Sequence, residues 1–324
     1  MIKPIAIVAG EPNSISSEII FKTWKLKKKY AHKPFFIIGS VRLLEQQSKY
    51  LKIKISIKEI DKDFSIQDLS NKDLPVYNVN YKQKKAFEKV SIKSNSYIFK
   101  CFETARRLIK EKKIIGFINC PVSKETLFKK KNHGVTEYLS RKDKKNNHEV
   151  MLIYNKQLSV APLTTHIPLG QVSKKINRLK IEKKVKTINN FYKNVFKKKP
   201  KIAILGLNPH NFSPQNKSEE KKIIIPAIKN LKKAGIKAVG PVSPDTSFVI
   251  HEKYKYDVIF GMYHDQVLTP FKTLFKYEAI NITLGLSYIR VSPDHGIAQN
   301  IVSKNIANPY SLIESVKFFN KINN

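Results

Sequence analysis

The stretch SNSYIFKCFETARRLIKEKKIIGFINCP, residues 94–121, joins a helical pattern to a strand pattern. Its first part carries apolar residues that step by four, three and four positions along one face of a helix: Ile98, Phe102, Ala105 and Ile109. The apolar run 114–120 that follows predicts a buried strand, which ends at Pro121. A helix followed directly by a buried strand is typical of α/β proteins with a mostly parallel sheet.

The same alternation of apolar runs and lysine-rich amphipathic stretches extends over the rest of the chain. We predict strands at residues 4–9, 34–39, 114–120, 150–154, 158–163, 201–207, 256–262 and 279–284. We predict helices at residues 17–29, 94–113, 176–196, 225–234 and 308–319, with one more that begins at Val41. No Pro/Gly/Ser-rich linker divides the chain, so a division into two domains would require the chain to cross between them more than once.

The composition indicates a globular protein. Of the 324 residues, 41% are hydrophobic and 27% are charged, which excludes a disordered chain and allows a large core. The two cysteines, Cys101 and Cys120, are too few for a disulfide scaffold or a four-cysteine zinc module, and they suit a reducing compartment. No apolar run reaches the length of a membrane span, and the N-terminus resembles a strand more than a signal peptide. We therefore expect a soluble, cytoplasmic protein.

The net charge of +36 is typical of proteins that bind nucleic acid, so nucleic acid is a candidate partner. However, only six of the 61 basic residues are arginine, the side chain that reads phosphates and base edges with two parallel hydrogen bonds. Lysine is spread over nearly every segment together with asparagine and isoleucine, which are the residues of AT-rich codons. Genome composition therefore explains the charge better than a specific nucleic-acid partner, and only weak polyanion binding at low salt is expected.

Three histidines share one sequence context. His166, His210 and His264 each follow an apolar run that is predicted to be a strand. Ligands bind at the carboxyl ends of parallel strands, and three imidazoles at one edge would leave an open position, as in a catalytic divalent-metal site. Asp265 could orient His264 or add a ligand. Each histidine taken alone fits a hydrogen-bonded loop residue better than a metal ligand, and only the repeated context favours the metal site.

Other segments could bind anionic groups. Lys272, Asn281 and Arg290 recur at intervals of nine residues, and their side chains suit a phosphate or a carboxylate. No GxGxxG sequence follows a strand, so a nucleotide would bind without the usual Rossmann loop. The run Asp294–Ala298 contains a glycine that would let a ligand approach the backbone, although a plain turn is the alternative.

The motifs taken together resemble those of the 4-hydroxythreonine-4-phosphate dehydrogenases of vitamin B6 biosynthesis. The matching segments fall in order along the whole chain: CPVSKETL (120–127), GVTEYL (134–139), TTHIPL (164–169), GLNPH (206–210), GPVSPDTSF (240–248), MYHDQ (262–266) and NITLGLSYIRVSPDHGIA (281–298). The resemblance implies an α/β fold like that of the isocitrate and isopropylmalate dehydrogenases, with two α/β domains, a cleft between them, and a homodimer. We expect residues 1–125 and 285–324 to form the first domain and residues 126–284 the second.

The resemblance also implies roles for individual residues. A divalent metal, namely zinc, magnesium or cobalt, would be bound by His166, His210 and His264, partly across the dimer interface. Substrate would be bound by residues from four of the motifs: Thr136, Lys272, Asn281 and Arg290. NAD, with NADP as an alternative, would be bound by residues of the C-terminal segment: His295, Gly296, Ala298 and Asn308. Lys124 and Asp245 are candidates for proton transfer.

The activity implied is the NAD- and metal-dependent oxidation of 4-phosphohydroxy-L-threonine. The product is a β-keto acid that loses carbon dioxide to give 3-amino-2-oxopropyl phosphate.

The chain departs from the family pattern at several loops. Val135 replaces a substrate-binding histidine, and His133 lies two positions earlier. The glycine-rich first turn is replaced by residues 14–18, and residues 211–213 and Ile297 differ as well. Two alternatives therefore remain open. One is a related dehydrogenase that acts on erythronate or threonate phosphate, and the other is a polyanion-binding relative that has lost catalysis.

Overall fold

The computed structural model describes residues 2–69, 72–128, 134–144, 149–212, 217–276 and 278–322. The chain divides into two compact units. The first unit contains residues 1–131 and 288–324, and the second contains residues 132–287. The chain therefore leaves the first unit once and returns to it near the C-terminus.

The strands, in chain order, are β1 (Ile5–Val8), β2 (Phe35–Gly39), β3 (Ile57–Ile60), β4 (Leu74–Asn78), β5 (Gly116–Asn119), β6 (Val150–Tyr154), β7 (Ser159–Pro162), β8 (Ile202–Leu205), β9 (Ala238–Val242), β10 (Val258–Gly261), β11 (Ile280–Leu284) and β12 (Ile289–Pro293). The α-helices are α1 (Ser16–Leu26), α2 (Val41–Tyr50), α3 (Asn95–Lys110), α4 (Lys124–Phe128), α5 (Val135–Lys142), α6 (Val172–Lys175), α7 (Arg178–Phe196), α8 (Ile225–Lys233), α9 (Pro244–Ser247), α10 (His264–Phe275) and α11 (Tyr310–Asn320).

In the first unit the strand order is β3-β4-β2-β1-β5-β12, and the neighbouring strands run parallel. The helix and strand predicted in residues 94–121 are observed as α3 and β5. Ile98, Phe102 and Ala105 of the predicted apolar face are buried, whereas Ile109 is only half-buried and Leu108 is buried in its stead.

In the second unit the strand order is β11-β6-β7-β10-β8-β9. Strand β6 is antiparallel to both of its neighbours, and the pairs from β7 to β9 are parallel. Apolar residues of α10 pack against the strands in one buried cluster that includes Val160, Ala203, Ile259, Val267, Leu268 and Phe271. This packing holds α10 across the sheet, so its first residue, His264, lies where β10 ends.

The predicted elements do not include strands β3, β4 and β9, helix α10, or the short helices α4, α5, α6 and α9. Strand β3 is largely exposed, and its sequence IKEI carries two charged residues. Strands β4 and β9 each contain a proline, which is uncommon inside a strand. Helix α10 contains Pro270, and proline is uncommon inside a helix. The local sequence therefore did not predict these three elements. In the part of the chain that the structure describes, no helix combines the length and the apolar character needed to cross a membrane.

Candidate active site

Three neighbouring parallel strands of the second unit end at one edge of the sheet. Strand β10 lies between β7 and β8, and Gly261 at its end is paired with Pro162 at the end of β7. The pairing continues beyond the strands, since Leu163 N donates to Gly261 O at 2.8 Å and Thr164 Oγ1 donates to Met262 O at 2.8 Å. The segments that follow β7 and β10 therefore leave the sheet side by side.

This arrangement brings His166 and His264 together. Their ring centres lie 5.8 Å apart and their planes are inclined by 41°. The Nδ1 of His264 donates to Oδ1 of Asp265 at 2.6 Å, since an ionised carboxylate can only accept. With the proton held at Nδ1, the lone pair of His264 lies on Nε2, which is the form that binds a metal.

His210 follows β8 at the same edge, in a turn that contains left-handed backbone. Its φ is 51°, a conformation that costs energy for a residue other than glycine. Its Nδ1 lies 3.6 Å from Oδ2 of Asp245, at the start of α9. Ser243 Oγ donates to Asp245 at 2.7 Å, and this hydrogen bond, aided by the nearby His210, holds the pKa of Asp245 below its ordinary value. Asp245 is therefore ionised at neutral pH.

A buried carboxylate holds the turn that leads to His210. Glu220 Oε1 accepts from the backbone N of Leu207 and from that of Asn208, both at 2.8 Å, and Oε2 accepts from Asn208 Nδ2 at 2.9 Å. Burial alone would raise the pKa of Glu220, but the hydrogen bonds donated by Asn208 outweigh it and keep the pKa below its ordinary value. The charge is therefore retained and the turn is stabilised.

The two neighbouring histidines can be compared with the geometry that a shared metal ion requires. With bonds of about 2.0–2.1 Å and a tetrahedral angle, two imidazole ring centres lie about 5 Å apart. The observed 5.8 Å is within about 1 Å of that separation, so the distance between the two rings allows a shared ion. Among the residues that the structure describes, no three His, Cys, Asp or Glu side chains gather closely enough to hold a metal ion. The three-histidine site therefore stays a prediction.

Two of the predicted substrate residues lie close to strand β11. Thr136, near the start of α5, has its Oγ1 3.2 Å from Oγ1 of Thr283 on β11. Asn281 and Thr283 are two residues apart, so their side chains point to the same face of the strand. The Oδ1 of Asn281 is buried and has no hydrogen-bond partner in the described structure. Burying an amide oxygen without a hydrogen-bond donor is costly. A ligand that donates a hydrogen bond to Asn281 Oδ1 would remove that cost.

The predicted cationic residues lie on different elements. Lys272 is exposed in the last turn of α10, in the second unit. Arg290 is buried on β12, in the first unit, and its Nε donates to Asn119 Oδ1 at 2.6 Å. Asn119 ends strand β5, directly before the CPVSKETL motif. The orientation of the Arg290 guanidinium is therefore set by an amide that the motif analysis did not select.

The remaining predicted residues belong to the first unit. Lys124 is exposed at the start of α4. His295 and Ala298 are half-buried, and Ala298 adopts a left-handed conformation with φ of 47°. A Cβ built on Gly296 would meet no atom within 4 Å, so there is open space beside it. Asn308 is exposed, and its Oδ1 accepts from the backbone N of Tyr310 at 2.9 Å, at the start of α11. His133 lies outside the described residues.

A lysine that lies outside the sequence motifs is close to the segment of the first histidine. Lys184 of α7 donates from Nζ to Leu163 O at 3.0 Å, three residues before His166. Burial lowers the pKa of Lys184 below its ordinary value. Neither Lys184 nor Glu220 lies in a recognised motif. Their hydrogen bonds, to Leu163 and from Leu207, join residues that are not neighbours in the sequence.

Comparison with known proteins assigns the chain to a family. Residues 31–319 match the model of the family described as "Pyridoxal phosphate biosynthetic protein PdxA". The chain belongs to this family. The resemblance inferred from the motifs is thereby confirmed.

Two named relatives and a solved structure match nearly the whole chain. A protein of Sulfurihydrogenibium sp. named 4-hydroxythreonine-4-phosphate dehydrogenase is 40% identical over 97% of this chain and 96% of its own length. A protein of Oceanobacillus iheyensis, provisionally named D-threonate 4-phosphate dehydrogenase, is 33% identical over 97% of this chain and 96% of its own length. The crystal structure of 4-hydroxythreonine-4-phosphate dehydrogenase from Klebsiella pneumoniae superposes with a TM-score of 0.84 at 29% identity, covering 98% of this chain and 97% of that one. The predicted α/β fold is confirmed.

Proposed function

We propose that this PdxA-family protein oxidises 4-phosphohydroxy-L-threonine with NAD, in pyridoxal phosphate biosynthesis. The β-keto acid product then loses carbon dioxide to give 3-amino-2-oxopropyl phosphate. The observation that carries the proposal is the pairing of His166 with His264 at the carboxyl ends of β7 and β10. Both histidines lie in motifs that this chain shares with the dehydrogenases of its family.

His166, His264 and His210 are the proposed ligands of a divalent metal, with zinc, magnesium and cobalt as candidates. When bound, such a metal supplies a Lewis acid that lowers the pKa of a substrate hydroxyl. Asp265 orients His264 through the hydrogen bond at Nδ1. The buried Glu220 holds the turn before His210.

The substrate carries a carboxylate and a phosphate, and the proposed contacts match those groups. Lys272 and Arg290 would bind the anionic groups by charge-assisted hydrogen bonds. Thr136 and Asn281 would bind polar groups of the substrate, and the buried Oδ1 of Asn281 is an acceptor suited to a hydroxyl or an ammonium group. Asn119 fixes the direction of the Arg290 guanidinium.

NAD is proposed to bind along the C-terminal segment, through His295, Gly296, Ala298 and Asn308, with NADP as the alternative. The open space beside Gly296 leaves room for a ligand against the backbone. The hydride chemistry belongs to the nicotinamide, so the protein's part is to orient the two reactants.

Of the two candidates for proton transfer, Asp245 has the clearer assignment. Its pKa is held below the ordinary value, so it is a carboxylate that can accept a proton and not an acid that can donate one. It also lies 3.6 Å from His210, so it could orient that imidazole instead. Lys124 is the candidate for protonating the enolate after carbon dioxide is lost.

We further propose a cytoplasmic homodimer. Leu169 and Phe212 follow His166 and His210 by three and two residues, and their side chains are 69% and 67% exposed. Large apolar side chains exposed beside the candidate ligands favour a protein surface that covers them. A second chain would then supply part of the ligand set, which fits the absence, among the described residues of one chain, of three such side chains close enough to hold a metal ion.

One observation favours a second candidate substrate. Val135, which replaces the family histidine, is buried at the start of α5 beside Thr136. Its side chain has no hydrogen-bond donor, so the group that the family histidine binds would lose one contact here. A related reaction on D-threonate 4-phosphate or erythronate 4-phosphate, with the same metal and NAD, is therefore the alternative.

The test is a substrate panel with the purified protein. Reduction of NAD is followed by absorbance with 4-phosphohydroxythreonine, threonate 4-phosphate and erythronate 4-phosphate, with added divalent metal and with a chelator. The proposal requires the largest kcat/KM for 4-phosphohydroxythreonine and loss of activity with the chelator. A larger kcat/KM for either sugar acid phosphate would establish the alternative, and no NAD reduction with any of the three would refute both.

A further inference from the structure

An ion pair on helix α1 holds the C-terminal segment of the first unit. Glu18 and Lys22 lie one helical turn apart, and Lys22 Nζ donates to Glu18 Oε1 at 2.7 Å. The Glu18 side chain is 1% exposed, so this carboxylate is buried and the lysine compensates its charge.

Both partners also bind the backbone of residues 305–307. Lys22 Nζ donates to Asn305 O at 3.0 Å and to Ala307 O at 2.9 Å. Glu18 Oε1 accepts from the backbone N of Ala307 at 2.6 Å. An ammonium group has three protons, and here each has one acceptor. Ala307 is therefore held through both its N–H and its C=O.

The segment that is held has an irregular backbone. Ala298, Ser303 and Asn305 have φ values of 47°, 66° and 58°, which are left-handed conformations in residues other than glycine. Each is less favourable than a right-handed or extended conformation, so the segment needs tertiary contacts to keep its shape. The contacts from Glu18 and Lys22 end at Ala307, immediately before Asn308.

We propose that Glu18 and Lys22 are positioning residues for the dinucleotide: they fix the backbone of residues 305–307 and thereby place Asn308 and the preceding loop for NAD. The proposal rests on the proposed binding of NAD to this segment. Neither side chain needs to touch the cofactor, because both act through the backbone that they bind. Their loss should weaken NAD binding and leave the handling of the phosphorylated substrate unchanged.

The variant Lys22→Met removes three hydrogen bonds and keeps most of the side-chain length. Lys25→Met is the matched control, since Lys25 is an exposed lysine on the same helix. Lys22→Arg keeps the charge and the hydrogen-bond donors, so it should retain part of the wild-type protection at Ala307 and part of the wild-type affinity for NAD. Because Lys22→Met leaves the buried Glu18 uncompensated, the double variant Glu18→Gln with Lys22→Met removes both charges and guards against a failure to fold.

Two measurements test the proposal. Hydrogen exchange should show at least tenfold faster exchange at the Ala307 amide in Lys22→Met and in the double variant, and no change in Lys25→Met. Steady-state kinetics should show KM for NAD raised about tenfold, which corresponds to roughly 1.4 kcal/mol, with kcat and the KM of the phosphorylated substrate within about twofold of the wild type.

The outcomes separate this proposal from the proposed function. NAD reduction by the wild-type protein decides the proposed function before any variant is compared. Unchanged exchange at Ala307 would overturn the positioning role, and so would faster exchange with an unaltered KM for NAD in an active enzyme. A fall in kcat alone, or an equal rise in both KM values, would assign the pair a general structural role. If the wild type neither binds nor reduces NAD, both proposals fail together.

Discussion

Replacing Glu220 by glutamine should loosen the turn that leads to His210. Glu220 accepts three hydrogen bonds as a charged group, two from backbone N–H groups at 2.8 Å and one from Asn208 Nδ2 at 2.9 Å. Glutamine has one oxygen, so it can keep the two backbone bonds as neutral ones, but its amide nitrogen would face the Asn208 donor. The arrangement of three donors around one carboxylate is therefore lost.

The magnitude follows from the bonds that change. A hydrogen bond to a charged group contributes roughly 1.5–3 kcal/mol and a neutral one about 0.5–1.5 kcal/mol. Weakening two hydrogen bonds and losing a third costs on the order of 4 kcal/mol. Part of that cost is offset because a neutral glutamine is less costly to bury than a carboxylate. We expect the second unit to lose about 2 kcal/mol of unfolding free energy.

The loss should depend on pH in a defined direction. The pKa of Glu220 is held below its ordinary value of 4.5, so the folded state binds fewer protons than the unfolded state in that range. The stabilisation is therefore complete above that value and is lost as pH falls through the folded pKa. The difference between wild type and Glu220→Gln should shrink accordingly below about pH 4.5.

The assay is urea unfolding of both proteins between pH 3 and 8, combined with divalent-metal titration at pH 8. Glu219→Gln is the matched control, because among the described residues Glu219 accepts one hydrogen bond, from Asn208 Nδ2 at 3.1 Å. We expect weaker metal binding in Glu220→Gln only. Equal unfolding free energies for the two variants at pH 7 would refute the role of Glu220 in holding this turn.

Four further outcomes are expected. Val135→His should lower the KM for 4-phosphohydroxythreonine by one to two orders of magnitude, since a hydrogen bond to a charged group contributes roughly 1.5–3 kcal/mol; an unchanged KM in steady-state kinetics would favour a sugar acid phosphate as substrate. Asp265→Asn should weaken metal binding about 10–100-fold in a calorimetric titration by loss of the orienting carboxylate, and an unaltered affinity would exclude His264 as an oriented ligand. Burial raises the pKa of Glu11, so the unfolding free energy of the wild type relative to Glu11→Gln should fall as pH rises above 4.5. A difference in unfolding free energy that does not change with pH in that range would contradict this. DNA binding should be weak and lost near physiological salt, because counterion release alone drives it; sequence-dependent binding that persists in a salt titration would support the polyanion-binding alternative.

Much of the fold follows from local patterns in the chain. The spacing of Ile98, Phe102 and Ala105 places these residues on the buried face of α3, which Leu108 and not Ile109 continues. The apolar run that follows forms β5. Both patterns depend on residues that are close in the sequence. Where proline interrupts the pattern, as at Pro270 in α10, the local signal is lost and tertiary packing maintains the helix.

The candidate site divides in the same way. His166, His210 and His264 could be selected because each follows a strand pattern, and Asn281 and Arg290 because they lie in recognisable motifs. The contacts of Asn119 with Arg290 and of Lys184 with Leu163 could not be predicted, since each joins residues that are distant in sequence.

The sequence by itself determined the α/β class, the order of most elements and the family of this protein. The periodic spacing of apolar residues and the order of the motifs can both be read along the chain without knowledge of the fold. Only the tertiary structure decided which strands are neighbours. The order β7-β10-β8 places His166 beside His264, and the burial of Glu18 against Ala307 joins α1 to the C-terminal segment. Such pairings depend on hydrogen bonds and burial between distant parts of the chain, and no local pattern encodes them.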